Sequence, residues 1–410
     1  MTASEPATAP ELAIVADDLT GAMDAAAPFA AAGKRTTLWL GDGPATTTTI
    51  VAITTETRDL PPATAVAAAR RAAAALAATT NPNAWYKKID SALRGHPGRE
   101  IAALAAVVGA RRLLVAPALP SEGRTVRGGR VFVDGRPLAA SSLGAGHVDE
   151  SAAARLGGES GLPVETISLA TVRGPAAALH AVLNDGPPAI LLADTETEAD
   201  LAALATATRA ARLPLCCGSA GLARHLAGSP ASPAPWRIAP SGRPTLVIAG
   251  SRHEATARQL AHARGHADLR LIPLPRLDDL CGDVSATAAE AATALRAGRD
   301  VAVTTTGAAP SLLAGADVAA LLGRVASDPG VSAAAGALIL TGGDVAAAVC
   351  RALGCTRIDV LGEAAPNIPL GLVVRAGRPP LPVVTKAGSF GQADAITRCL
   401  GLLREGRATT

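Results

Sequence analysis

Two clusters in the first half of the chain carry side chains that could do chemistry. Asp17 and Asp18 stand side by side after the apolar run 11–16, and Thr20 and Gly21 follow where a helical pattern opens. One carboxylate could cap that helix. A second beside it repels the first, so the pair points to an acid that accepts a hydroxyl proton or its hydrogen bond. Residues 87–95 place Lys87, Lys88, Asp90 and Arg94 just ahead of a helix starting near Pro97. A solvated charged turn has this composition. So does a cradle for a carboxylate or phosphate, because Lys and Arg supply donors beside a helix N-terminus. Residues 55–58, which end in Arg58, read on their own as a surface loop. Residues 117–125 form a turn-rich stretch with Arg124, and 129–138 read as a small hairpin around Asp134 and Gly135.

The second half places glycine and hydroxyl residues where the first half has charges. Gly250-Ser251, 304–307, Thr341-Gly342-Gly343-Asp344 and 386–391 each follow an apolar run, and Gly362-Glu363 are expected in a loop before 366–369. Glycine lets backbone approach a ligand, and N–H groups at helix N-termini hold phosphates. Several such turns at the strand ends of one sheet suggest a nucleotide site.

The elements that must position these groups are legible as alternation. Apolar runs at 11–16, 50–54, 112–116, 189–193, 245–249, 300–305, 337–341 and 381–385 read as buried strands. Helical windows lie between them at 21–33, 62–78, 97–109, 198–211, 252–265, 284–297, 309–325, 344–353 and 391–403. This predicts an α/β protein of two domains, each on a mostly parallel sheet with flanking helices and with ligands at the carboxyl ends of strands. The Pro-rich stretch 228–244 predicts a linker at 231–243 between domains 1–230 and 244–410. No internal repeat is evident.

Composition narrows the function classes. Of 410 residues, 49% are hydrophobic, which excludes disorder for the bulk of the chain. Aromatics are 2% and the formal net charge is +3, which argues against a nucleic-acid partner. The N-terminal residues lack a basic and apolar leader, and no long apolar span occurs, so no membrane partner and a cytoplasmic location are expected. Cys216, Cys217, Cys281, Cys350, Cys355 and Cys399 form no C-x-x-C pair and are expected to be reduced core residues. The chain has no GxxxxGK[ST], no GxGxxG after the first strand, no HExxH and no GxSxG, which disfavours a P-loop protein and an oxidoreductase. Of the scattered His residues, only His96 lies in a candidate site.

Together, 16–22, 87–95, 117–125, 135–138, 218–222, 250–251, 341–344, 361–363, 366–371 and 386–391 resemble, in order, the motifs of the four-carbon acid sugar kinases. That family includes the threonate, erythronate and 3-oxo-tetronate kinases. The resemblance implies a two-domain kinase with its active site in the cleft between the domains. The first domain binds the acid sugar and the second binds ATP with Mg²⁺; a homodimer is possible. Carried onto this chain, substrate contacts fall on Asp18, Arg58, Lys88, Ile89, Asp90 and Ser91, with Asp17 and Arg94 close by. Nucleotide contacts fall on Ser251, Gly342, Gly343, Asp344, Val345 and Gly388, with Glu363 and Lys386 in neighbouring motifs. Asp17, Asp18 and Asp90 are the candidate bases, and Asp344 or Glu363 would help Mg²⁺; no metal-ligand set is assigned. The chain departs from the family pattern at Met23, Glu56, Ala92, His96, Val345 and Ser389, and 141–155 lacks its Asp-Pro-x-x-Pro stretch. These departures motivate an alternative, a non-catalytic small-molecule or nucleotide sensor that keeps the fold.

Overall fold

A computed structural model describes residues 9–41, 48–141, 143–144, 151–228, 238–239, 241–274, 283–306 and 315–406. The chain divides into two compact units, Met1–Ala231 and Ser232–Thr410. Most of the expected linker, and residues 142 and 145–150 of the atypical stretch 141–155, lie outside the described residues.

The strands of the N-terminal unit are β1 (Leu12–Ala16), β2 (Thr36–Trp39), β3 (Ile50–Thr54), β4 (Trp85–Lys88), β5 (Arg112–Ala116), β6 (Arg124–Arg127), β7 (Arg130–Val133), β8 (Arg136–Pro137), β9 (Val164–Ile167), β10 (Ala189–Ala193) and β11 (Leu215–Gly218). Eight of them pair in the order β2-β3-β1-β4-β11-β5-β10-β9, every pair parallel. The expected hairpin is the antiparallel set β6-β7-β8, turning at Asp134 and Gly135 with φ of 49° and 76°.

Helix boundaries follow local chemistry. Helix Pro62–Thr80 starts on proline and stops at left-handed Asn81, and helix Pro97–Val108 starts on proline and stops at left-handed Gly109. Ala13 and Val15 of β1 and Val51 and Ile53 of β3 pack with Ala72, Ala73 and Leu76 of the first helix and Ile101, Leu104 and Ala105 of the second. Alternate residues of β1 therefore face one helical layer, as period-two side chains require.

The C-terminal unit contains β12 (Thr245–Ala249), β13 (Leu269–Pro273), β14 (Asp300–Thr304), β15 (Ala337–Thr341), β16 (Cys355–Ala365), β17 (Ile368–Arg375) and β18 (Arg378–Lys386), in the order β13-β14-β12-β15-β18-β17-β16. Along that order every pair from β13 to β18 is parallel, whereas β16-β17-β18 is an antiparallel meander. Gly362 and Glu363, expected in a loop, lie inside β16, and the turn is at residues 366–367. The irregular register of β16 against β17 hides the strand in the sequence, because each bulge breaks the period-two alternation. The opening strands of the two units follow one winding: β13-β14-β12-β15 repeats the order of β2-β3-β1-β4. No helix among the described residues is long and apolar enough to cross a membrane.

Candidate active site

The sheet of the N-terminal unit reverses direction at β1. β2 and β3 lie on one side of it, and the chain then crosses to β4 on the other, pairing Lys88 with Ala16. Outside the carboxyl ends of strands, such a reversal opens a ligand crevice. Asp17 and Asp18 follow β1 here, Lys88 ends β4, and the segment after β3 brings Arg58.

Asp18 is extended, with φ −143° and ψ 158°, and caps helix Leu19–Ala31. Its carboxylate accepts from the Gly21 N–H at 3.0 Å and from Thr20 Oγ1 at 2.6 Å. Arg58 donates from Nε and Nη2 to the two oxygens of Asp17, both at 2.8 Å, and from Nη2 to Asp18 Oδ1 at 2.6 Å. One guanidinium thus relieves the repulsion of the adjacent acids. Residues 55–58 are accordingly no surface loop: Thr57 is buried, its N–H donates to the Asp17 carbonyl, and the ion pair draws Arg58 inward.

Asp90 is held as firmly. It accepts from the N–H groups of Ala92 and Arg94 at 3.0 and 3.3 Å, and from Arg94 Nε and Nη2 at 3.1 and 2.7 Å. Burial pushes the carboxyls of Asp17 and Asp90 up, but nearby cations outweigh it: Arg58, Lys87 and Lys88 for Asp17, and Arg94, Arg58 and Lys88 for Asp90. Both are held below the usual carboxylate range. Ile89 sends its side chain into the core and its N–H to the Gly218 carbonyl, and Ser91 is half-buried.

The two lysines of the motif differ. Lys87 is fully buried; its ammonium meets Glu100 Oε2 at 2.8 Å and the Lys88 carbonyl at 3.0 Å. Glu100 Oε1 in turn accepts from Thr57 Oγ1 at 3.0 Å, which ties helix Pro97–Val108 to the segment carrying Arg58. Glu100 was not expected in the site. Its signal was an acid one helical turn from Leu104, on the face that packs into the core. Lys88 is only 5% exposed, yet among the described residues its ammonium makes no hydrogen bond and no ion pair. It acts through space on Asp17 and Asp90, and a Cβ at Gly21 would lie 2.9 Å from its Nζ. Arg124 also interacts electrostatically with Asp90 and Arg94, which adds a cation that the motif reading left outside the site.

In the C-terminal unit the equivalent reversal lies between β12 and β15. Gly250-Ser251 leave β12, and Gly342, at φ 101°, caps helix Gly343–Ala352, which Asp344 enters in its first turn. A side chain at Gly250 would collide with Val345, and one at Gly388 would collide with Ser251. Ser251, Gly388, Gly342 and Val345 therefore occupy neighbouring strand ends at close approach. Glu363 accepts from the Asn367 N–H at 3.1 Å within the β16–β17 hairpin. Lys386 is buried, and its ammonium donates to the carbonyls of Ala387, Gly388 and Phe390 at 2.8, 3.3 and 3.0 Å. The hydroxyls of Thr305, Thr306, Thr341 and Thr385 are buried with no partner among the described residues. No group of three or more His, Cys, Asp or Glu among the described residues could hold a metal ion.

Fold and geometry define a two-unit α/β protein with a dense ionic cluster at one sheet's carboxyl edge and glycine-hydroxyl turns at the other's. A family profile described as a sugar-binding N-terminal domain matches residues 12–226, and one described as a nucleotide-binding C-terminal domain matches 246–396. A D-threonate kinase of Cupriavidus necator is 35% identical, covering 96% of this chain and 98% of its own. A D-threonate kinase of Salmonella typhimurium is 31% identical over 96% and 99%. A 3-oxo-tetronate kinase of Methylobacterium radiotolerans is 31% identical, also over 96% and 99%. A solved structure from Salmonella typhimurium LT2 superposes with a TM-score of 0.77 at 24% identity, covering 95% and 98% of the two chains, and shows the fold. The chain belongs to the four-carbon acid sugar kinase family, and it is a phosphotransferase.

Gly21 offers a test of the cluster's packing. In the middle of a helix, alanine is favoured over glycine by about 0.5–1 kcal/mol. At Gly21, however, its Cβ would press on the Asp18 carboxylate and on Lys88 Nζ. Gly21→Ala should lower the melting temperature, because the Asp18 cap and its Arg58 contact must give way, and lose about 10²-fold in kcat/KM, the scale of a small misplacement of reacting groups. Wild-type kinetics in that variant would show that the spacing of Asp18 and Lys88 is immaterial.

Proposed function

We propose that the protein transfers the γ-phosphoryl group of ATP to the terminal hydroxyl of a four-carbon acid sugar, with D-threonate as the acceptor. Lys88 carries the reading. A buried ammonium without a hydrogen-bond partner is costly to maintain and suits an incoming carboxylate. Arg94, whose side chain is half exposed beside it, supports the same anion. Asp17 and Asp90 each give both carboxylate oxygens to one arginine, whereas Asp18 gives Arg58 only Oδ1 and keeps Oδ2 with the Thr20 hydroxyl. Asp18 is the carboxylate we assign to orient the attacking hydroxyl and take its proton. The D-threonate kinases among its relatives support the choice of acid.

The unpartnered threonine hydroxyls and the glycine approaches at Gly342 and Gly388 fit a nucleotide. Ser251, Gly342, Gly343 and Gly388 would line its phosphates, with Val345 packed beneath them. Bound Mg²⁺-ATP supplies the phosphoryl group and neutralises the charge that develops on it. Asp344 would hold the magnesium through water, as suits an ion that keeps most of its hydration. Acceptor and donor sites lie on separate units, so transfer requires that they meet and that water is excluded. It places the reaction among small cytoplasmic metabolites.

ADP release with Mg²⁺-ATP, measured across D- and L-threonate, D- and L-erythronate and 3-oxo-tetronates, tests this. D-threonate should give the highest kcat/KM, and Asp18→Asn should lower it by about 10²–10⁴-fold, the range of general-base catalysis. A better acid than D-threonate would correct the substrate. Undiminished turnover in Asp18→Asn would remove that residue as the base.

A further inference from the structure

We infer that Lys386, Gln259 and Thr256 are positioning residues that turn the 387–391 loop into an anion cradle of backbone N–H groups, and that Lys386 does not itself touch the phosphate. This rests on the nucleotide reading of the C-terminal unit. A lysine ahead of a glycine-rich loop ordinarily suggests a phosphate contact. Here the ammonium is turned inward instead. The residue is 1% exposed, and Nζ donates to three carbonyls of its own loop.

Two side chains of helix Glu254–His266 continue the arrangement. Thr256 Oγ1 donates to the Gly388 carbonyl at 2.9 Å, and Gln259 Nε2 donates to the carbonyls of Phe390, Gly391 and Gln392 at 2.9, 2.9 and 3.0 Å. Gln259 is fully buried, and its Oε1 has no partner among the described residues. The reversed amide would set that oxygen against three carbonyl oxygens, so the surroundings fix which end faces the loop.

The consequence is polarity. The carbonyls of Ala387, Gly388, Phe390, Gly391 and Gln392 all face donors from within the unit. Among the described residues, the N–H groups of Gly388, Ser389 and Gly391 have no acceptor. Peptide dipoles with their carbonyl ends anchored present their positive ends outward, which is how backbone nests bind anions. Gly388 also lies so close to Ser251 that a side chain would collide with it, which brings these donors to the end of β12. The ligand chemistry is a phosphate of the nucleotide, bound by dipoles rather than by a side-chain charge.

The test starts on the wild-type protein, where folding is not in question. Amide resonances of Gly388, Ser389 and Gly391 should shift on adding ADP and stay in place on adding adenosine. Lys386→Met and Gln259→Leu should then share one phenotype: ADP affinity down by roughly tenfold or more, adenosine affinity unchanged. Gln259 has no charge to offer a phosphate, so a shared loss can only come through the loop. ADP binding without those amide shifts overturns the inference and leaves the nucleotide reading standing. So does a loss of ADP affinity in Lys386→Met with wild-type affinity in Gln259→Leu, which would make Lys386 a direct ligand. A wild-type protein that binds neither ADP nor adenosine overturns the nucleotide reading and this inference together.

Discussion

Lys88→Met should abolish most turnover while leaving the nucleotide affinity of the protein intact. Lys88 sits on the last residue of a central strand, in register with the end of β1, and is nearly sealed from solvent. It acts through space on the carboxylates of Asp17 and Asp90, and Asp18 lies close by across Gly21. Losing the buried contact to the substrate carboxylate that this reading assigns to Lys88 costs about 3–5 kcal/mol of binding, which corresponds to roughly 10²–10⁴-fold in kcat/KM. Methionine is long, flexible and apolar, and it can fill the same slot. The site would then lack the cation that this reading assigns to the substrate carboxylate. Steady-state kinetics on D-threonate, with ADP binding measured alongside, separates this from a folding defect. A kcat/KM within about threefold of wild type would mean that the carboxylate binds elsewhere.

Arg58→Leu should produce the largest loss of stability in the N-terminal unit, about 3–5 kcal/mol at neutral pH. Arg58 neutralises two adjacent buried acids, and leucine leaves both without their guanidinium. The pH dependence should invert as well. In the wild type Asp17 is held below the ordinary aspartate value of 3.8, so the stability it contributes is present above that pH and lost as pH falls through its folded value. In the variant, burial is opposed only by Lys87 and Lys88, and the Asp17 carboxyl moves up. A raised carboxyl favours the folded state at acid pH and weakens it as pH rises. The stability gap between the two proteins should therefore be widest at pH 7 and narrower near pH 4, where the variant's raised carboxyl no longer destabilises it, read from urea unfolding at each. An equal gap at both would show that the Asp17 pair contributes nothing to linkage.

Parts of this design were legible in particular residues. The apolar runs 50–54, 112–116, 189–193, 245–249 and 337–341 became β3, β5, β10, β12 and β15 with the same bounds. They are short, nearly continuous apolar segments, as strands of a parallel sheet covered on both faces require. β4 and β11 were not legible, although both are central. Trp85–Lys88 reads as the start of a charged turn, and it is a strand only because Glu100, from the following helix, neutralises Lys87 inside the core. Leu215–Gly218 is too short to show a period. The 55–58 segment failed for the same reason as β4: its polarity said surface, while its partners, Asp17 and Glu100, lie far away in the chain.

What the sequence determined by itself was which residue types end which strands, where helices such as Pro62–Thr80, Pro97–Val108 and Glu198–Ala211 start and stop, and membership of a kinase family. Those properties depend on local periodicity, turn chemistry and ordered motifs. The tertiary structure alone decided partners. Strand order and register are non-local, and they brought Arg58 to Asp17 and Asp18, enclosed Lys87 with Glu100, and left Lys88 buried without a hydrogen bond among the described residues. They also turned Lys386 toward its own loop, and gave the opening strands of both units one winding that no sequence repeat announces. A charge is written in the chain, but whether it is neutralised, structural or waiting for a ligand depends on which strand ends lie beside it.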